Sequence, residues 1–182
     1  TYNLSVRELK KKLIQAKIDN KLPKILVAVH FAGQSCDMKE IFDLSVEYGF
    51  HVIEDASHSI GGKYLDKRIG GCQFSDITVF SFHPVKIIPT AEGGLATTNS
   101  KKLADKMDML RSHGVTRDQS LITKTDEGSW YYEQIDLGFN YRMTELQAAL
   151  GTSQMKNLDE FVSKRHILQN RYDMLLANLP II

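Results

Sequence analysis

Cysteine is scarce in this chain: Cys36 and Cys72 stand far apart, with no second pair. That excludes a multi-bridge disulfide framework and a cysteine-rich zinc site, and it fits reduced thiols in a cytoplasmic protein, with a single bridge still compatible. Long apolar runs are missing too. None approaches the roughly 20 residues that a membrane-spanning helix needs, and no charged, apolar, small-residue leader opens the chain. Nor does one sign of charge prevail. The 23 Lys and Arg face 22 Asp and Glu, a formal net charge of +1, so electrostatics give no reason to expect nucleic acid or an anionic membrane as a partner. Internal repeats and low-complexity tracts are absent as well. What is present is an ordinary globular mixture, 42% hydrophobic and 25% charged over 182 residues, long enough for one domain with a substantial core or for most of one.

The elements alternate. Leu9, Leu13, Ile14 and Ile18 recur at helical spacing over residues 5–18 until Asp19, Asn20 and Pro23 break the pattern. "KILVAVHF", residues 24–31, has the form of a strand buried on both faces. Asp37 is placed to cap the next helix, with Glu40 completing a capping box and Ile41, Leu44 and Tyr48 facing inward. "FHVIEDA", "DITVFSF" and "GGLATTN" read as strands, and Ser100 as the cap of a helix running to Arg111. Residues 115–139 are polar and irregular. Helical spacing returns from Thr144 to about Asn178, with Gly151 and Asp159 as expected points of division. The order predicts an α/β fold with a mostly parallel sheet covered by helices. Both ends read as cut: Thr1 stands where Met would, and Leu179-Pro180-Ile181-Ile182 closes without a polar tail. A piece of a longer protein is therefore expected.

Two of these strands end in residues that a core strand does not need. One stops on Glu54-Asp55 with His58 just beyond; the other runs into Ser81-Phe82-His83-Pro84-Val85-Lys86. In α/β sheets ligands bind outside the carboxyl ends of the strands. If the two strands are neighbours, an anion and an amine face one crevice. Taken singly, Asp55 reads more readily as a turn cap and Lys86 as a solvated loop lysine. Together they are harder to dismiss, because Phe82, Pro84, Val85, Ile87 and Ile88 would surround the lysine with apolar neighbours. Desolvation lowers the pKa of an amine and makes its nucleophilic form available, and such amines form Schiff bases with carbonyls. Gly93-Gly94 is turn chemistry and not a dinucleotide-binding fingerprint.

"EDASHSIGG", "FSFHPVK", "EGGLATTN", "RSHGVTRD" and "LGFNYRMTELQAALG" occur in an order that resembles the DegT/DnrJ/EryC1/StrS family of pyridoxal-phosphate-dependent sugar aminotransferases, from about Lys24 to the end of the chain. Within that family, "FSFHPVK", "SHGVTRD" and the "WYYE" to "LGFNYRMTELQAALG" stretch look most like the transaminases that make UDP-4-amino-4,6-dideoxy-N-acetyl-β-L-altrosamine on the route to pseudaminic acid. The resemblance implies the aspartate aminotransferase-like (type I) fold, with residues 1–143 part of the cofactor-binding large domain and 144–182 a helical segment leading toward a small C-terminal domain. It implies pyridoxal 5'-phosphate as cofactor, no metal, a UDP-sugar and glutamate as substrates, and a homodimer.

By the same resemblance Lys86 would carry the cofactor on its ε-amino group and move the proton, and Asp55 would pair with the pyridine nitrogen. His58 would sit at the phenolic oxygen, where relatives often carry Gln; it reads otherwise as a hydrogen-bonded core histidine. Ser81 would donate to the phosphate, and Asn140 would reach the phosphate of the other subunit's cofactor. His83, His113, Arg117 and the Trp130-Tyr131-Tyr132 cluster are weaker candidates, read equally as loop and interface residues. The family's Ser/Gly/Thr-rich phosphate turn and its ring-stacking residue find no match here, so the chain alone is expected to have little activity. Pro89 replaces a frequent Thr. Two other readings stay open: a cofactor-dependent sugar dehydratase, whose members carry His in place of the lysine that this chain retains, and a non-catalytic binding module on the same fold.

Overall fold

The computed structural model describes residues 2–124 and 127–180. Thr1, Ile181 and Ile182, on which the reading of the two ends partly rested, lie outside them. Helix α1 (Val6–Ile18) starts where Ser5 Oγ accepts from the Glu8 amide and buries Leu9 and Leu13. Ile14 and Ile18 face outward instead. Strand β1 (Ile25–Val29) leads through a short 3-10 turn at Phe31–Gly33 to α2 (Met38–Tyr48), which buries Met38, Ile41 and Leu44. Tyr48 is only half-buried. The expected capping box at α2 does not form: Asp37 sits at φ −75°, ψ 71° and makes no side-chain cap bond among the described residues. That backbone lies off the extended conformation that aims an N-cap oxygen at the first turn, and the Met38 amide turns back to the Cys36 carbonyl instead. Gly49 ends α2 at φ 75°, a left-handed position that glycine adopts without strain.

After α2 come β2 (His51–Asp55), a small ribbon of β3 (Lys63–Tyr64) and β4 (Lys67–Arg68), then β5 (Ile77–Ser81) and β6 (Gly94–Thr97). The main sheet has the order β1-β2-β5-β6; the first three strands are parallel and β6 runs antiparallel to β5. Ser100 Oγ caps α3 (Lys101–Leu110). A second ribbon joins β7 (Val115–Thr116) to β8 (Glu133–Gln134). Thr144 and Gln147 form a full capping box at α4 (Glu145–Met155), and α5 (Leu158–Leu176) follows. The helices divide at Lys156-Asn157 rather than at Gly151 or Asp159. Gly151 is buried inside α4, where an added Cβ would meet Thr90 Cγ2 at 2.9 Å; it serves close packing.

Because strand side chains alternate, the sheet has two unlike faces. Leu26, Ala28, Val52, Glu54 and Thr78 lie on the face that packs under α1 and α2, against Leu9, Leu13, Met38, Ile41 and Leu44. The other face carries Ile25, Val27, Val29, Ile53, Asp55, Val79 and Ser81. Here β1 departs from the both-faces-buried expectation: Ile25, Val27 and Val29 are 53%, 51% and 44% exposed, since no described element packs over them. A second apolar cluster of Phe82, Ile88 and Leu158, with Ile60, Phe161 and Val162 around it, fastens α5 to the loop after β5. Among the described residues no helix is long and apolar enough to cross a membrane.

Candidate active site

Strands β2 and β5 are parallel neighbours, with Asp55 opposite Val79, so the carboxyl ends of both open at the same edge. Ser81 lies two residues beyond Val79 and therefore on the same face as Asp55. The half-buried Asp55 accepts a bond from the Ser57 amide at 3.1 Å. Burial pushes its carboxyl up, but the Ser57 hydrogen bonds and the charges of His58 and Lys86 outweigh that and hold it below the usual aspartate value. It is an anion at neutral pH.

The loop after β5 is closed by the Thr90 amide donating to Phe82 O at 2.9 Å and anchored by buried Phe82 and Ile88. Within it the Lys86 amide turns back to His83 O at 2.9 Å, and the Lys86 side chain is half-buried. The expected apolar jacket is incomplete: Val85 is 78% exposed and Pro84 faces outward. Lys86 lines a cleft of ≈ 460 Å³ together with His58, Ala32 and Gly33 of the 3-10 turn, Gln34 just after it, and Val162, Arg165, His166 and Gln169 of α5. His58 is exposed rather than a core histidine. Its Nδ1 accepts from the Ala32 amide at 3.3 Å, and among the described residues its Nε2 makes no hydrogen bond.

The geometry thus brings Asp55, His58 and Lys86 to one strand-end edge, with Ser81 on the same sheet face. Asn140 is not brought there. It is exposed, pairs with Ser112 in an isolated bridge and stands outside the cleft lining. Arg117 lies over the Tyr132 ring at 5.8 Å, Trp130 is exposed, and the His83 ring approaches Glu92 at 3.9 Å.

Two groups near the site escaped the sequence. Behind Asp55, on the covered face, Glu54 accepts from His30 Nε2 at 2.7 Å, from Ser75 Oγ at 2.5 Å and from Thr78 Oγ1 at 3.0 Å. The His30 amide also donates to Asp55 O at 3.0 Å, and the Ser59 hydroxyl to His30 O at 3.3 Å. This buried network ties the end of β1 to the end of β2. The other group is the α5 stripe of Arg165, His166 and Gln169, for which the spacing from Val162 was the available signal. Both cysteines are buried and free, and among the described residues no three His, Cys, Asp or Glu side chains gather as a metal-binding group.

Comparison with known proteins gives the same direction. The DegT/DnrJ/EryC1/StrS aminotransferase family matches over residues 1–182. The spore coat polysaccharide biosynthesis protein SpsC of Bacillus subtilis is 40% identical over 86% of this chain and 40% of its own length. A UDP-4-amino-4,6-dideoxy-N-acetyl-beta-L-altrosamine transaminase of Campylobacter jejuni is 37% identical over 94% of this chain and 42% of its own. The solved structure of Helicobacter pylori PseC, an aminotransferase involved in the biosynthesis of pseudoaminic acid, superposes with TM-score 0.84 at 32% identity, over 98% of this chain and 43% of that one. The chain spans about two fifths of the length of these relatives, and its mostly parallel α/β sheet is part of the fold of those aminotransferases. The chain belongs to the DegT/DnrJ/EryC1/StrS aminotransferase family.

Proposed function

We propose that this chain carries the cofactor-anchoring half of a pyridoxal-phosphate-dependent sugar-nucleotide aminotransferase. The observation behind the reading is the meeting of an ionised carboxylate, an imidazole and a primary amine at the ends of two adjacent parallel strands, Asp55 on β2, His58 just after it and Lys86 after β5. The donor set fits the cofactor. An anionic Asp55 suits a protonated pyridine nitrogen, the open Nε2 of His58 suits the phenolic oxygen, Ser81 suits the phosphate, and Lys86 offers the amine for covalent attachment. When bound, the cofactor supplies an electron sink for charge that develops on the substrate carbon. Asp55 holds the proton at the ring nitrogen. Lys86 Nζ, once free, moves a proton to and from the substrate carbon that carries the nitrogen.

The acceptor we favour is the 4-keto carbon of a UDP-linked 6-deoxyhexose, as on the pseudaminic acid route, with glutamate as amino donor. Support comes from three relatives named altrosamine transaminases at 35–38% identity; GDP-perosamine synthases at 34–39% keep the nucleotide open as an arm of the assay. The exposed position of Asn140 away from the cleft suits a residue that reaches a partner subunit's cofactor, so a cytoplasmic homodimer is proposed. Residues 144–182 would lead toward a small C-terminal domain. Borohydride reduction of the full-length enzyme with bound cofactor, followed by peptide mapping, is expected to mark Lys86, and Lys86→Ala to abolish amino transfer. Labelling confined to another lysine, or an active Lys86→Ala enzyme, would overturn the reading.

A further inference from the structure

We infer that Arg165, with His166 beside it, is a binding contact for a substrate oxyanion in the Lys86 cleft. The inference rests on the aminotransferase reading for the substrate's identity, but the site itself is read from packing and charge.

Val162, Arg165, His166 and Gln169 fall at i, i+3, i+4 and i+7, one face of α5, and all four line the cleft opposite residues 57–60 and Lys86. The helix is held close enough to fix them. A Cβ added at Gly61 would lie 2.9 Å from Val162 Cγ2 and 3.0 Å from Leu158 Cδ1, and Arg68 pairs with Asp159 at 2.6 Å. Among the described residues the lining includes Lys86, Arg165, His58 and His166 and no Asp or Glu. Arg165 makes no ion pair among the described residues, whereas its neighbour Lys164 pairs with Glu160 at 2.6 Å. Arg165 thus faces the cleft with no acidic partner in its lining, and an entering anion meets an unpaired cation there and no like charge. A planar guanidinium grips a carboxylate or phosphate with two parallel bonds.

For the cofactor's own phosphate the proposed donor is Ser81, which, like Asp55, lies outside this lining. What remains is the carboxylate of the amino donor or the diphosphate of the sugar nucleotide, one oxyanion chemistry from two sources. Calorimetric titration of the full-length protein separates them, with glutarate as a donor mimic lacking the amine and UDP as the diphosphate probe. Arg165→Gln is expected to weaken one probe by roughly tenfold or more. Lys164→Gln removes the same charge from the same helix outside the cleft, and it should leave both affinities within about twofold. Loss for glutarate assigns the carboxylate, and loss for UDP the diphosphate. Unchanged affinities in Arg165→Gln, equal losses in Lys164→Gln, or a wild-type protein that binds neither probe would overturn the inference. Matched melting curves check that the exposed substitution leaves the fold intact. If Arg165→Gln loses a probe while borohydride fails to mark Lys86, the oxyanion contact stands and the aminotransferase reading falls.

Discussion

Glu54 is a carboxylate 5% exposed, and it is tolerable there because three donors converge on it. Burial alone would raise its pKa, but the bonds from His30 and Ser75 bring it below the usual glutamate value. Burial would lower the pKa of His30, but contacts with Cys36 and Glu54 raise it from 6.5 to about 9. The signs give a window. The His30 contribution to stability is complete below pH 6.5 and fades as pH rises through about 9; that of Glu54 is present above 4.5 and lost in acid. Melting temperature should therefore fall as pH is raised from 6.5 toward 9, and Glu54→Gln, costing about 2 kcal/mol at neutral pH, should flatten that alkaline limb. An unchanged limb in the variant would show that the pair does not govern it. Asp55 and Lys86 were legible because polar residues at the ends of apolar runs have no core role to explain them. The pairing of Glu54 with His30 was not, although Glu54 ends the same run, because only the helix that covers them reveals that both are buried.

Among the elements, the cap at Ser100 was readable because a cap involves four consecutive residues. The failed cap at Asp37 and the division at Lys156-Asn157 depend on where the chain must turn in space, and local sequence does not state that. The close approach of α5 to the loop at Gly61 belongs to the same class. Gly61 has φ 83°, and a Cβ added there would lie 2.9 Å from Val162 Cγ2; Gly61→Ala adds both backbone strain and a clash, and should destabilise by about 1–2 kcal/mol. Because the clash falls on the helix that carries Arg165, denaturant unfolding of the full-length variant should show this loss together with weaker binding of the affected probe. Stability lost with binding unchanged would mean that α5 does not set the cleft.

For the whole molecule, the dominant feature is the uncovered face of the sheet at Ile25, Val27 and Val29. A strand rich in Val and Ile reads as doubly buried whether or not its second cover is at hand, so the openness of this face could not be read from residues 24–31. Exposed apolar surface on an edge strand favours association. The 182-residue chain on its own should elute above monomer mass in light-scattering chromatography, and Val27→Lys should shift it toward monomer; a monomeric wild-type chain would refute this. The sheet also safeguards its own assembly. Glu54 and Asp55 point to opposite faces, so sliding β2 by one residue along its neighbours would thrust Asp55 under α2 and turn Glu54 out to the crevice, stranding His30 and two hydroxyls without their acceptor. The observed pairing gives both anions their partners, so these two charges also reject a misaligned strand during folding.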